Sequence, residues 1–446
     1  MRTIELVYKK YTNTPQSIYY PSRNKMSCFK TFCVYTIEGL IETFRFLRYL
    51  FFLLFTPLLV YGARRFLHGK GVLLNPSSKS DQAEAITVIV TNNKFYARLC
   101  AYGDVALGEG FVEGWWDCGD LPGLCDRLMD TAGITEGSKS YKRSLPYLEA
   151  YVRWVLLNPQ RNMEHLPKNL KLQYNLPTDY HRLILTDGGE HEAIQMSVVY
   201  FPTGSESIGT AQNLKLSLIT SKLAPLVPGM RVLDIGCGFG AVAKHLADNY
   251  QVEVVGVTNS PGMGQAAKEH CRGSGAKIVV GDWSEIQGTF DRIIMIEMVE
   301  HVGKRNLTKF FDKVAAMLKD DGKCFIQCYE TPEDFPRILE FACKYMYGPS
   351  YVPSLRELLK YTDDSGFELA ELQSFAAHAA KSVSTVLEKI QANYSQIESI
   401  VGDKVARMLL LTFAFQDRTM TCGVDGMNLL VLRKRKNHKL SRVTVA

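Results

Sequence analysis

A chain of 446 residues is longer than one ordinary domain and long enough for two with extensions. With 46% hydrophobic and 22% charged residues it is a globular protein that buries a real core, which excludes a disordered or low-complexity class. The net charge of +6 is mild, and part of it sits in a basic tail around Arg433, Lys434, Arg435, Lys436, Lys439 and Arg442. Such a tail reads as a solvated terminus, as a nucleic-acid contact, or as a contact for anionic headgroups at roughly 1 kcal/mol per basic residue near a surface. No nucleic-acid partner is assigned.

The 11 cysteines include no C-x-x-C pair, so neither a zinc ribbon nor a redox motif is supported and no metal is expected. Cys324 and Cys328 flank what reads as a buried strand.

In chain order, residues 1–75 form an N-terminal extension with an apolar run from Tyr49 to Ala63, bounded by Arg45, Arg48, Arg64 and Arg65. The run is shorter than the ~20 residues of a spanning helix, and Pro57 interrupts it. It reads as a kinked helix or re-entrant hairpin in the membrane interface, its arginines reaching to phosphates, with no domain to bury it.

Residues 76–165 form a small mixed domain, with a strand at Ile86–Val90 and a helix at Lys94–Tyr102. A polar stretch from Thr131 to Ser144 reads as a linker, followed by a helix from Leu145 to Leu157. Residues 166–434 carry alternating strands (RVLDIG, VEVVGVT, KIVVGD, FDRIIMIE, KCFIQCY) and helices, followed by the tail, 435–446. The expected fold is α/β: a Rossmann-like, doubly wound, mostly parallel sheet beside the small N-terminal α+β domain. Ligands of such sheets bind at the carboxyl ends of the strands.

Those ends are informative. Asp234-Ile235-Gly236-Cys237-Gly238-Phe239-Gly240 follows a strand and opens a helix, the glycines allowing a tight turn and close backbone approach. The acid precedes the first glycine, and the next strand ends in Gly256-Val257-Thr258-Asn259-Ser260 without a ribose-binding acid, unlike a dinucleotide fingerprint. The third ends in Gly281-Asp282-Trp283, an acceptor beside an aromatic face suited to adenine. Together they favour S-adenosylmethionine. The fourth runs into Glu297-Met298-Val299-Glu300-His301, two carboxylates and a histidine where the active site belongs. The plainer reading makes Glu297 an exposed strand-end charge and His301 a helix-capping or structural histidine.

The chain resembles the cyclopropane-fatty-acyl-phospholipid synthase family, which includes mycolic acid cyclopropane synthases, fungal sphingolipid C9-methyltransferases and coclaurine-type N-methyltransferases. Asp104–Leu121 (DVALGEGFVEGWWDCGDL), Gln173-Tyr174-Asn175, Met196–Phe201, DIGCGFG, VVGVTNS, GDW and Glu300-His301-Val302-Gly303 carry the resemblance. It implies a methyltransferase core with inserted helices over an acyl tunnel. It also implies a cofactor site of Ser197, Asp234, Gly236, Gly238, Gly240, Thr258, Asp282 and Trp283, and methyl or methylene transfer to an unsaturated phospholipid acyl or sphingoid chain.

Four positions depart from the pattern. Met263 stands where the family has Gln, Val198 where it has Cys, Gln327 where it has His, and Ala379 where it has Tyr. The resemblance implies that in cyclopropane synthases a Glu, the His, the Tyr and backbone groups beside the Cys hold a bicarbonate base; Glu300 fills the Glu position, and the joint loss of His and Tyr weakens the case for that ion here. Glu300, His301 and Gln327 are the expected catalytic residues. An amine N-methyltransferase of the coclaurine type and a catalytically silent member are the alternatives. A lipid substrate, a membrane surface and a cytoplasm-facing catalytic domain complete the expectation, with the oligomeric state open and a dimer among the options.

Overall fold

The computed structural model describes residues 28–76, 85–131, 145–153, 172–189, 192–331, 340–348 and 350–435. The expected linker from 132 to 144 and the tail beyond Arg435 lie outside them.

The N-terminal extension is two helices, α1 (Cys28–Leu54) and α2 (Thr56–His68). They meet at an 85° bend. Pro57 lies in the first turn of α2, where its missing N–H costs nothing. The apolar run is thus kinked as expected, but it is not without a partner. Tyr49 packs on Ala101, Tyr102 and Ala106, while Leu59, Val60, Ala63 and Leu67 lean on the main core.

Next comes a small three-stranded sheet of β1 (Val72–Leu74), β2 (Ile86–Val90) and β3 (Trp116–Cys118), with β2 in the centre. Around it lie α3 (Lys94–Tyr102), α4 (Asp104–Val112), α5 (Leu121–Thr131) and α6 (Leu145–Tyr151). Two further helices, α7 (Thr178–Leu185) and α8 (Ile208–Leu223), lead into the large sheet. Ser207 caps α8 by accepting the Thr210 N–H.

The large sheet comprises β4 (Arg231–Ile235), β5 (Glu253–Thr258), β6 (Ala276–Val280), β7 (Phe290–Ile296), β8 (Leu318–Glu330), β9 (Phe367–Ser374) and β10 (Gly426–Lys434). Its order is β6-β5-β4-β7-β8-β10-β9. The first five strands are parallel, while β10 runs antiparallel to both of its neighbours. Near-continuous apolar runs in β4 and β7 suit strands covered on both faces. The covering helices include α9 (Ala241–Tyr250), α10 (Pro261–His270), α11 (Leu307–Met317), α12 (Glu340–Tyr345) and α13 (Leu355–Asp364). A C-terminal trio follows, α14 (Ala376–Ala392), α15 (Tyr394–Val401) and α16 (Asp403–Thr421). The trio packs against the small sheet, so one apolar core joins Val88 and Trp116 to Ile390, Val405 and Leu409.

Strand order reverses between β4 and β7, both neighbours of the first glycine turn. That reversal opens a crevice at the carboxyl ends of the strands.

Candidate active site

The crevice deepens into a cavity of about 720 Å³. One end is built by the β4, β5 and β6 termini, including Asp234, Gly236, Thr258 and Asp282. Glu297 and Glu300 also line it, with apolar side chains such as Leu107, Phe341, Leu411 and Phe415. The cavity is large enough for a drug-sized ligand or for part of a long chain.

At the cofactor end, Gly236 and Gly238 take φ of 86° and 53°, the left-handed region that a side chain resists. A Cβ on Gly236 would also sit 3.0 Å from Met298. Gly240 differs: it is absent from the cavity wall, and a Cβ there would meet Cys271 Sγ at 2.9 Å. It too is left-handed, with φ of 80°, and its lack of a side chain lets α9 pack against the end of α10.

Asp234 and Asp282 are buried, and each leaves its Oδ2 without a hydrogen-bond partner. Burial pushes the Asp234 carboxyl up to about 7. Oδ1 of Asp282 accepts the Ser284 N–H at 2.7 Å. Trp283 stands edge-on to Phe310, with ring centroids 4.6 Å apart, so its indole is largely core; its Nε1 is buried and unpaired. Unsatisfied buried polar atoms are costly unless a ligand meets them. Two orphaned carboxylate oxygens beside two left-handed glycines fit the hydroxyl, amino and charged groups of S-adenosylmethionine. Ser260 Oγ caps α10 through the Met263 N–H and donates to the Tyr174 carbonyl at 3.0 Å, tying the β5 terminus to residues 172–175.

The middle of the cavity holds a polar cluster in apolar surroundings. Glu297 follows β7 with φ of 49°, a left-handed conformation rare for a side chain of this size. Its N–H donates to the Gln327 carbonyl at 2.7 Å. Its Oε1 accepts from the Val198 N–H at 2.7 Å and from Gln327 Nε2 at 2.9 Å. Gln327 Nε2 also donates to the Val198 carbonyl at 3.1 Å. Gln327 itself is buried, and through these bonds it holds the Glu297 carboxylate in place.

Glu300 Oε1 accepts the Tyr329 N–H at 2.6 Å, while its Oε2 is buried without a partner. Burial, with some repulsion from Glu297, pushes the Glu300 carboxyl up to about 8. His301 Nε2 lies 2.6 Å from the Tyr174 hydroxyl, and burial pushes the imidazole down to about 4, so it is neutral at pH 7.

Lys215 of α8 carries no mark in the sequence, yet it is fully buried and donates to Ser197 Oγ. Burial lowers it to about 8, against the pull of Glu297 and Asp234. Both carboxyls rise through burial, and the nearby ammonium holds them down in part. Tyr347 donates to Gln416 Oε1 at 2.8 Å, and Gln416 Nε2 donates to the Tyr329 hydroxyl at 3.2 Å, fixing the wall opposite.

The N-terminal helices reach this site through charge. Arg45 is 1% exposed; its Nε donates to Glu149 at 2.7 Å and its two terminal nitrogens to Glu340 at 3.0 and 2.7 Å. Arg48 also binds Glu149, and Arg153 joins Glu340 to Glu38 and Glu42. Arg45 and Arg48 therefore do not reach out to phosphates. Only Arg64 and Arg65 are exposed. Glu340 opens α12, whose next residue, Phe341, lines the cavity and would be struck at 2.2 Å by a Cβ on Gly108.

A doubly wound sheet with left-handed glycines at its switch point and orphaned acids at its strand ends defines an S-adenosylmethionine-dependent methyltransferase. The sequence pattern named mycolic acid cyclopropane synthetase matches residues 161–421, and the chain belongs to that family. The cyclopropane-fatty-acyl-phospholipid synthase of Escherichia coli K12 is 28% identical over 346 residues, covering 78% of this chain and 86% of that protein. The solved mycolic acid cyclopropane synthase CmaA1, complexed with SAH and CTAB, superposes with a TM-score of 0.56 at 24% identity, covering 60% and 98% of the two chains. Coclaurine N-methyltransferase, bound to N-methylheliamine and SAH, gives 0.54 at 19%, covering 74% and 99%. These two likenesses are of fold.

Proposed function

We propose that the protein transfers the S-adenosylmethionine methyl group to carbon in an unsaturated lipid chain, phospholipid acyl or sphingoid, while resting on a membrane. One observation carries the reading: a single cavity is lined both by the strand-end residues of the cofactor site and by apolar side chains, with Glu297 and Glu300 in its wall. The E. coli relative's name points to the same substrate class.

When bound, the cofactor supplies an electrophilic sulfonium methyl. Gly236 and Gly238 let the backbone approach it, and the Asp234 and Asp282 oxygens hold its polar groups. The apolar wall aligns a chain and excludes water, so the buried carboxylates act on a developing cation at low dielectric.

Membrane contact falls to α1 and α2. Leu47, Phe51, Leu54, Leu58 and Phe66 are each more than half exposed, beside Arg64 and Arg65. No single described helix is long and apolar enough to cross a membrane, and the bent pair meets the requirement only jointly. An interfacial seat with the catalytic domain facing the cytoplasm is part of this proposal, and the exposed apolar side chains of α1 and α2 support the interfacial half of it.

The experiment supplies methyl-labelled cofactor and total lipid extract as vesicles to the full chain. Label should enter lipid chains, and the protein should sediment with the vesicles. Label in amine headgroups or soluble amines instead would replace this reading with N-methylation.

A further inference from the structure

Building on the lipid-chain reading, we infer that Glu297 is the base of the reaction, a carboxylate built into the chain that takes the proton released after methyl transfer.

The step needs a proton acceptor inside a dry cavity. The alkene electron pair forms the new carbon–carbon bond as the methyl–sulfur bond breaks, and sulfur keeps that bond's electrons. The chain is left as a carbocation. Loss of a proton lets the freed C–H pair close a three-membered ring or form a new double bond, and the proton ends on the acceptor.

Three groups in the cavity wall are candidates: His301, Glu300 and Glu297. His301 has its Nε2 against the Tyr174 hydroxyl. Glu300 sits 4% exposed with Oε1 on the Tyr329 N–H and Oε2 unpaired, and among the described residues no cation beside it offsets the burial that pushes its carboxyl up to about 8. Burial raises the Glu297 carboxyl too, but its partners differ. The Val198 N–H and Gln327 Nε2 both donate to Oε1, and Lys215 supplies a buried positive charge. Hydrogen bonds to the charged form and a nearby cation both favour the carboxylate. Among the described residues Oε2 carries no hydrogen bond, and Glu297 lines the cavity.

The backbone agrees. A non-glycine residue at φ of 49° costs on the order of 1 kcal/mol or more and persists only where the surroundings impose it. Here Gln327 grips Glu297 twice, its carbonyl on the backbone N–H and its side chain on the carboxylate. An alternative conformation would turn the carboxylate away from Val198. With this acceptor in the chain, no exogenous anion is required.

The test uses the full chain, total lipid vesicles and labelled cofactor, in buffer freed of carbon dioxide and bicarbonate. Wild-type turnover should be unchanged by bicarbonate depletion. E297Q keeps the shape and should lose about 100-fold or more in kcat, the scale of a general base, with S-adenosylhomocysteine affinity by calorimetry unaltered. E297G suits the left-handed backbone, so it folds without strain and opens a carboxylate-sized gap; formate or bicarbonate should restore its turnover about tenfold or more. Wild-type activity that requires bicarbonate, or E297Q turnover within threefold of wild type, overturns the inference. No label in lipid chains with the wild-type protein overturns the lipid-chain reading itself, and the inference with it.

Discussion

Arg45 is the place to test whether the N-terminal helices are fastened to the catalytic unit. Replacing it with Met keeps the length and removes three charge-assisted hydrogen bonds, one to Glu149 and two to Glu340. Breaking a buried ion pair by deleting one partner costs about 3–5 kcal/mol, because a buried charge is left uncompensated. Here neither carboxylate is abandoned. Glu149 keeps Arg48 at 2.8 Å, and Glu340 keeps Arg153 at 2.6 Å. The lower end of the range applies, about 3 kcal/mol, or roughly a 100-fold rise in local opening. Hydrogen exchange of the full chain, read by mass spectrometry, should show that loss of protection in α1 and at α12. Strands β4, β5 and β7, which share no contact with Arg45, should keep theirs. R45K should recover little, since one ammonium cannot fork between two carboxylates. Protection in α1 unchanged within threefold, or an equal loss spread through the large sheet, refutes the argument.

Two further outcomes follow from the site. G236A forces a Cβ into a left-handed residue and against Met298, so S-adenosylhomocysteine binding should weaken tenfold or more; calorimetric affinity within twofold of wild type contradicts the proposed cofactor contact. K215M removes the ammonium that holds the Glu297 and Asp234 carboxyls down. Both should then titrate at higher pH. The ionised base exists only above its pKa, so the acid limb of the kcat/KM profile should move upward, and a limb that stays in place would show that Lys215 does not govern it.

Legibility followed range. The alternation of apolar runs with helices from Met230 to Tyr329 is local, and the observed β4 to β8 fall on the runs read from it, within a residue or two except for an early start to β8. The glycine turn and the strand-end acids were legible for the same reason: a doubly wound sheet presents its strand ends to its ligand, whatever the side chains elsewhere. Pro57 announced the bend between α1 and α2.

What sequence could not carry was any role set by contact between distant segments. Gly240 looks like its two neighbours in DIGCGFG, and only the approach of Cys271 shows that it answers to helix packing. Gln327 occupies a familiar place in the motif order, but its side chain turns to Glu297 and Val198, over a hundred residues away in the second case. Lys215 sits in an unremarkable helix, and the arginines beside the apolar run looked free to meet phosphates until Glu149 and Glu340 closed on Arg45. Local pattern therefore determined the class of fold, the cofactor and the ends of the strands. The charge state and task of each side chain were decided by tertiary structure, because a buried ionisable group takes its character from partners that only folding brings within reach.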